Sequence, residues 1–337
     1  MDNSNTWLAA YLYYSEPWEG LLSNAVKPFV EDTFKNDLAE QFFFIRYWEK
    51  GPHIRLRFKG SEQQLAALKP KLTAHFEQYY KDFPSDRDDN EYIRNLPEEH
   101  KWFPNNSTQF IPYEPEVDRY GGARSILIAE EQFEASSKAI LDVISESDEW
   151  GYDRALGVAI QMHLGFAYAL GMELAETSAF FGQVFENWLP RAYYSYEQGV
   201  TPEEMEKRKV ATLEAFRENF DNQKEVLLPY FETVWQAFID GEEFEQAWLN
   251  TWLSDMAVIK EKLLEAQQAK QLTPPDWYPI NPSKGFTIEN IQRWSIYDSY
   301  VHMINNRLGI MNRDEGYLGY LIKESLNSIT NQSIHNE

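Results

Sequence analysis

Cysteine is absent from the sequence. Its absence excludes disulfide bonds, thiolate metal sites and cysteine nucleophiles. The six histidines never fall in an HxH or HxxxH spacing, so no metal site is predicted. The glycine-rich motifs that bind nucleotide phosphates, such as GxGxxG, are also missing, as is the GxSxG elbow of serine hydrolases. We therefore expect neither a metal nor an organic cofactor.

Positive charge and long apolar runs are scarce. Lys and Arg number 31 against 54 Asp and Glu, which gives a formal net charge of -23. A chain this acidic repels phosphate backbones and anionic lipids, so direct contact with nucleic acid or membrane is not expected. The N-terminus MDNSNTWLAAYLYYSEP has no basic start, and no apolar run is long enough to span a membrane. The expected compartment is the cytoplasm.

Hydrophobic residues are plentiful, at 43% of 337 residues, and their spacing predicts a fold. WLAAYLYYS, QFFFIRYW and HIRLRFKG alternate like strands, while residues 17–34 and 61–80 have helical spacing. We expect an α+β fold with a small antiparallel, ferredoxin-like sheet at the N-terminal side and a mostly α-helical C-terminal part.

The predicted organisation is a single domain over residues 1–337. Residues 1–125 are expected to contain the sheet, and residues 126–326 to form a helical part that packs on it. Residues 327–337 are expected to form a polar, frayed tail. Seven helices are predicted after the sheet: Ile126–Ser145, Tyr152–Leu170, Glu173–Tyr194, Pro202–Phe220, Leu227–Asp240, Glu243–Gln268 and Thr287–Leu308.

One predicted strand, in GPHIRLRFKG, alternates basic and apolar side chains. A four-residue EKGP loop before it would place Arg46 directly opposite Arg55. Two arginines paired in this way repel each other unless an anion lies between them. The strand is therefore either an ordinary solvated or salt-bridged surface or part of an anion site, with Arg46 a secondary substrate-binding candidate from the pairing alone.

Two further stretches carry candidate residues. YEPEVDRYGG places Glu116 and Arg119 before a double glycine that permits positive φ and close approach to a ligand. SYVHMINNRLGI places His302 on an amphipathic helix. Taken singly, the first is equally well an ordinary loop with an ion pair, and the second a structural histidine.

Together and in this order, FFFIRYWEKGPHIRLRF, YEPEVDRYGG and SYVHMINNRLG resemble the lantibiotic dehydratase C-terminal domains, also called thiopeptide-type bacteriocin biosynthesis domains. The resemblance spans nearly the whole chain and implies the standalone form of a lyase. Such a domain eliminates glutamate from glutamylated Ser or Thr of a ribosomally made precursor peptide, leaving dehydroalanine or dehydrobutyrine. The family's functional positions fall on Arg55, Arg57, Glu116, Arg119 and His302.

The resemblance also implies partners and an alternative. A separate protein would transfer glutamate from glutamyl-tRNA to the precursor peptide, and related enzymes tend to be homodimers. A branch of the family builds the pyridine ring of thiopeptides by a formal cycloaddition and has lost the elimination residues. Their retention here favours elimination over the cyclase, and over a non-catalytic peptide-binding scaffold.

The residue types suit the reaction. Arginine forks bind carboxylates bidentately, so Arg55 and Arg57 are expected to hold the glutamyl group and its leaving carboxylate. Arg119 would bind the glutamyl carboxylate or stabilise the enolate, and Glu116 would orient Arg119 or carry a proton. A neutral histidine is a suitable base near pH 7, so His302 is the candidate base, although it could instead protonate the departing glutamate.

Overall fold

The computed structural model describes residues 6–147, 149–194, 199–278 and 286–335, without the side chains of residues 332–335. The chain divides into two compact units. The sheet unit comprises Met1–Glu116 and Ala129–Trp150, and the helical unit comprises Val117–Ile128 and Gly151–Glu337. That these units form a single domain stays a prediction.

The sheet unit is built on a four-stranded antiparallel sheet. Its strands are β1 (Thr6–Tyr13), β2 (Gln41–Tyr47), β3 (His53–Gly60) and β4 (Ser107–Phe110), in the order β2-β3-β1-β4. Its helical segments are α1 (Glu19–Leu21), a π-helical turn (Leu22–Val26), α2 (Lys27–Lys35), α3 (Glu62–Asp82), α4 (Glu91–Arg94), a 3-10 turn (Glu98–His100) and most of α5 (Ser125–Ser145). An N-terminal antiparallel sheet followed mainly by helices confirms the predicted mixed class, while the ferredoxin-like assignment stays a prediction.

One face of β3 belongs to the core. Ile54, Leu56 and Phe58 are fully buried there, as the alternation predicts. The Phe29 ring of α2 lies 5.9 Å from that of Phe58 and 5.6 Å from that of Phe76 on α3, so both helices cover this face. The opposite face of β3 therefore carries the basic residues.

The β2–β3 connection differs from the prediction. Tyr47 pairs with His53, so the loop has five residues, 48–52, rather than four. Lys50 and Gly51 both adopt positive φ, 58° and 106°, a conformation that glycine permits but that the lysine does not signal. Arg46 consequently pairs with Ile54, and the predicted Arg46–Arg55 pair is wrong. A one-residue shift turns every β2 side chain to the other face.

The helical unit contains six long helices: α6 (Tyr152–Ala169), α7 (Leu174–Tyr193), α8 (Pro202–Asp240), α9 (Ala247–Gln268), α10 (Ile288–Leu308) and α11 (Asn312–His335). None of the described helices is long and apolar enough to cross a membrane. Helix α8 is continuous where two helices were predicted, because the polar segment at its middle is exposed and needs no apolar face. Helix α11 was not predicted, and it extends through most of the expected tail, of which residues 336–337 lie outside the described part.

Two glycines of α11 let this helix approach α7 closely. A Cβ atom at Gly316 would lie 3.0 Å from the backbone nitrogen of Leu189, and one at Gly319 would lie 2.8 Å from that of Phe185. Such contacts are with backbone atoms that cannot move aside easily. The spacing of the two helices therefore depends on the missing side chains.

We expect Gly319→Ala to destabilise the protein by about 1–3 kcal/mol, because the clash with α7 outweighs the helix propensity of alanine. Gly182 on α7 is the matched control, since its Cβ would lie 3.5 Å from the flexible Lys323 side chain. Gly182→Ala should be neutral or stabilising by up to ~1 kcal/mol. Urea unfolding measures both, and equal free energies of unfolding for the two variants would contradict the packing argument.

Candidate functional site

The basic face of β3, formed by His53, Arg55, Arg57 and Lys59, begins with a buried neutral histidine. The ring of His53 packs 4.5 Å from that of Tyr13 and 5.1 Å from that of Tyr11, and burial lowers its pKa to about 4. Its Nδ1 lies 2.8 Å from the carbonyl oxygen of Gly51 and therefore carries the proton. Its Nε2 accepts a hydrogen bond from Arg55 Nε at 3.1 Å. His53, which the sequence left without a role, thus orients Arg55.

Arg55 is held between aromatic rings. Its guanidinium lies 3.5 Å from the ring centre of Tyr47 and 4.7 Å from that of Tyr11. Its Nη2 lies 3.3 Å from a carboxylate oxygen of the exposed Glu49. An ion pair to an exposed glutamate is weak, so another carboxylate can replace it. Arg55 is therefore a half-buried cation fixed in orientation and available to an anion.

Arg57 is the most buried cation of this face, with 7% of its surface exposed. Its guanidinium lies 4.3 Å from the ring centre of Tyr113 and 5.1 Å from that of Phe43. Burial lowers the pKa of Arg57, and the neighbouring positive charge of Arg55 lowers it further. The hydroxyl groups of Tyr11 and Tyr113 act to raise it, and Tyr11 does so also through a hydrogen bond. Among the described residues nothing accepts a hydrogen bond from its buried Nε. A buried guanidinium that lacks a carboxylate partner is stabilised when an anion binds to it.

Lys59 completes the basic face but has a partner of its own. Its Nζ lies 3.2 Å from a carboxylate oxygen of Glu130 on α5 and 5.4 Å from the ring centre of Trp7. Burial raises the pKa of Glu130, while the lysine opposes this rise. The charge of Lys59 is thus neutralised inside the sheet unit, which leaves the arginines as the anion-binding part of the face.

Arg46 does not lie on the basic face, as the wrong pairing with Arg55 would have required. Arg46 lies on the opposite face of the sheet, where its Nη1 is 2.8 Å from a carboxylate oxygen of Glu19. Burial lowers the pKa of Arg46, and Glu19 opposes that effect. Glu116 is exposed and ends the first segment of the sheet unit. Arg55 and Arg57 lie on the same face of β3.

His302 lies on α10 in the helical unit, half-buried against an indole ring. Its ring stacks on that of Trp188 of α7, with centres 4.4 Å apart and planes at 19°. Its Nδ1 lies 2.9 Å and 3.1 Å from the two carboxylate oxygens of Glu315 on α11. Gly309, with φ 84°, ends α10 and lets the chain reverse into α11. Glu315 was not predicted as a partner because α11 was not predicted, and Trp188 was not because the packing of α7 against α10 does not follow from their separate sequences.

Arg119 lies in the same unit as His302. Its Nε donates to the hydroxyl of Ser299, which is one helical turn before His302 on α10, at 3.3 Å. Gly121 and Gly122 have φ of 87° and 101°, as the double glycine predicts. A Cβ at Gly121 would lie 2.6 Å from Ile296 Cδ1, so the close approach is to α10. Helix α10 therefore brings Arg119 and His302 into one neighbourhood.

Asp298, also on α10, supports the indole that stacks on His302. Its carboxylate accepts hydrogen bonds from Trp188 Nε1 at 2.9 Å and from Asn187 Nδ2 at 2.6 Å. Burial raises the pKa of Asp298 to about 6, and the two donors oppose this rise. The indole is thus fixed by a buried carboxyl group that titrates at mildly acidic pH.

We expect the contribution of Asp298 to the free energy of unfolding to fall as pH rises from 4 to 7. Its pKa is about 6 when folded and 3.8 when unfolded, so in this range the folded state retains a proton that the unfolded state has lost. Asp298→Asn lacks this effect, so its stability relative to wild type should improve by up to ~3 kcal/mol across the range. Urea unfolding at several pH values tests this, with the exposed Asp240→Asn as control, and a difference independent of pH would contradict it.

A metal site has no support among the described residues, where no group of three His, Cys, Asp or Glu side chains could hold an ion. The available donors are guanidinium, imidazole and carboxylate groups. Such a set can bind anions and move protons.

Sequence comparison places the chain among known proteins. Residues 7–326 match the family model described as lantibiotic biosynthesis dehydratase C-term. A stretch of 111 residues, 32% of this chain, is 32% identical to the subtilin biosynthesis protein SpaB of Bacillus subtilis. That stretch covers 9% of SpaB.

Three solved structures share the fold. The pyridine synthase TbtD from thiomuracin biosynthesis aligns with a TM-score of 0.71 and 17% identity over 96% of this chain and 98% of TbtD. TsrL aligns with a TM-score of 0.66 and 16% identity over 96% of this chain and 95% of TsrL. MibB, a tRNA-dependent lantibiotic dehydratase from Microbispora sp. 107891, aligns with a TM-score of 0.58 and 17% identity. That alignment covers 99% of this chain but 29% of MibB.

At such identities the structural likeness establishes the fold alone, whereas the family model covers nearly the whole chain. The resemblance read from the three sequence stretches is thereby confirmed. This chain belongs to the family of lantibiotic biosynthesis dehydratase C-terminal domains.

Proposed function

We propose that this protein is a lyase that eliminates glutamate from glutamylated Ser or Thr residues of a precursor peptide, leaving dehydroalanine or dehydrobutyrine. The observation that carries the proposal is Arg57, a buried guanidinium beside Arg55 that has no carboxylate partner among the described residues. Glutamate offers two carboxylates, the free γ-carboxylate of its side chain and the α-carboxylate released in the reaction. An acidic protein that keeps such a cation buried has a use for an anion at that point.

The reaction is a β-elimination. A base removes the α-proton of the modified Ser or Thr, the electron pair forms the Cα–Cβ double bond, and the Cβ–O bond breaks. The oxygen leaves with its electron pair as the α-carboxylate of free glutamate, so no oxidant or reductant is required. The α-proton is only weakly acidic, and the step needs a base and stabilisation of the developing enolate oxygen.

Arg57 and Arg55 are assigned to the glutamyl group. A guanidinium can present two parallel N–H donors to a carboxylate, and the aromatic rings around both arginines hold those planes in place. The buried position of Arg57 strengthens its attraction for the carboxylate that forms as the Cβ–O bond breaks. These arginines therefore bind the substrate and stabilise the leaving group.

His302 is assigned as the base. Its Nδ1 faces Glu315, so Nε2 is the nitrogen available to accept the α-proton. Arg119, joined through Ser299 to the same stretch of α10, is assigned to the enolate oxygen that develops as the proton leaves. The exposed Glu116 is the candidate for passing the proton to solvent.

Glutamylation is assigned to a separate tRNA-dependent protein, and the net charge of -23 supports this division because it disfavours binding of tRNA. Homodimer formation belongs to the same proposal.

We also propose the ferredoxin-like assignment for the sheet unit. Its order of strands and helices and the sheet order β2-β3-β1-β4 support that assignment.

A pyridine-forming cyclase is the second candidate, because the chain aligns over 98% of TbtD. The cyclase would act on a peptide that already contains dehydroalanine residues. Such a substrate has no glutamyl carboxylate to engage Arg57, which is why elimination is preferred.

Incubation of the purified protein with a chemically glutamylated peptide tests the proposal by mass spectrometry. We expect release of free glutamate and a peptide product that is lighter than the unmodified peptide by one water. Recovery of intact glutamylated peptide after prolonged incubation would contradict elimination. A parallel incubation with a peptide carrying two dehydroalanines identifies the cyclase by formation of a pyridine ring.

A further inference from the structure

Four polar side chains form a hydrogen-bonded line from the interior of the helical unit to His302. Nε2 of His163, on α6, lies 2.8 Å from Oδ1 of Asn305. The Asn305 amide nitrogen donates to Oε2 of Glu315 at 3.1 Å, and Oε1 of Glu315 lies 2.9 Å from Nδ1 of His302. The first three residues are at most 1% exposed, so only His302 opens towards solvent.

The direction of each hydrogen bond follows from the chemistry of its atoms. A carboxylate only accepts, so the Asn305 amide nitrogen must face Glu315 and the amide oxygen must face His163. Nε2 of His163 therefore carries a proton. Burial lowers the pKa of His163 to about 4, and no described group accepts a hydrogen bond from its buried Nδ1, which fits a neutral ring with a single proton. The line thus has one orientation.

We propose that Glu315 is a positioning residue: held by Asn305 and His163, it fixes His302 with its proton on Nδ1 and presents Nε2 as the reactive nitrogen. This inference rests on the proposed function, since it explains how His302 acts as a base. When Nε2 takes the α-proton, the adjacent carboxylate also stabilises the resulting imidazolium. The stacked indole of Trp188 fixes the plane of the ring, and the hydrogen bond to Glu315 selects which nitrogen faces inwards.

The same geometry predicts the effect of Glu315→Gln. The variant has nearly the same volume, and its amide oxygen can still accept the hydrogen bond from Asn305. Its amide nitrogen then lies at the Oε1 position, which is the nearer of the two to Nδ1 of His302, and this favours Nδ1 as an acceptor with the proton on Nε2. His302 loses its function as a base although its position is unchanged. We expect the elimination rate to fall by about 10²- to 10⁴-fold, the range seen when a catalytic histidine is held in the wrong tautomer.

Nitrogen-15 NMR of the histidine rings in the purified protein tests the proposal without substrate. Wild type should show neutral His302 with its proton on Nδ1, and Glu315→Gln should show it on Nε2. Glu315→Asp, which keeps a carboxylate, should restore the wild-type tautomer and part of the activity. Glu324→Gln, the same substitution elsewhere on α11, is the control and should leave both tautomer and rate unchanged.

The two proposals fail in different ways. If wild type does not eliminate glutamate but the tautomer reverses in Glu315→Gln, the lyase assignment falls and the positioning role stands. If Glu315→Gln eliminates glutamate at the wild-type rate with an unchanged tautomer, the positioning role is overturned. Should Glu315→Gln not fold, the wild-type spectrum still decides, because a proton on Nε2 of neutral His302 contradicts the proposal directly.

Discussion

Arg57→Lys is expected to lower the rate of glutamate elimination by about 10²- to 10³-fold, the loss typical of removing one preorganised donor to a developing anion. The guanidinium lies near the faces of Tyr113 and Phe43, a planar setting that an ammonium group cannot occupy in the same way. Lysine keeps the charge but not the paired donors. Single-turnover mass spectrometry with glutamylated peptide measures the rate.

The control for this prediction is Arg208→Lys on α8, where the arginine pairs with Glu204 on the helix surface at 3.1 Å. That variant should eliminate glutamate at the wild-type rate, since exposed pairs contribute little. Urea unfolding should show that both variants are folded. A folded Arg57→Lys protein with turnover within about twofold of wild type would remove Arg57 from the role of transition-state donor.

The like-charge neighbours of the basic face lie along one strand, and not across the hairpin as the sequence had predicted. The predicted like-charge pair across the hairpin, Arg46 with Arg55, does not exist because the loop is one residue longer than predicted. The like-charge repulsion is instead between Arg55 and Arg57, which lie on the same face of a single strand. The alternation of apolar and basic residues in β3 was sufficient to predict that face. The pairing register of β2 with β3 could not be predicted in the same way, since it depended on the positive φ of Lys50 in the loop.

In the helical unit, the sequence predicted the candidate residue but not the residues that contact it. His302 was found from its local motif, but its partners come from other helices and are distant in sequence. Trp188 approaches through the close packing of α7 against α11, which the missing Cβ of Gly316 and Gly319 permits. Glu315 lies in a polar first turn of α11 that resembles a loop in composition. Spatial partners of this kind follow from helix packing, and a single sequence carries no direct signal for them.

Buried ionisable groups in the two units have different consequences. In the sheet unit the buried cation Arg57 has no described carboxylate partner, and this favours an external anion. In the helical unit hydrogen bonds join the buried groups from His163 to Glu315 and leave one nitrogen of His302 outward. A buried cation without a described carboxylate partner is suited to binding an anion, and a hydrogen-bonded line is suited to fixing a proton. Each unit thus supports the role that is proposed for it.

His302→Ala is expected to lower elimination by about 10²- to 10⁴-fold, the usual contribution of a general base, and to stop exchange of the substrate α-proton with solvent. The second readout separates the two roles open to this histidine. A base makes the enolate, so its loss abolishes deuterium uptake from heavy water along with turnover. An acid acts later on the departing glutamate, so its loss would leave deuterium uptake while elimination stops. The exposed His100→Ala is the control and should match wild type in both measurements. Full turnover by a folded His302→Ala protein would assign proton removal to another group.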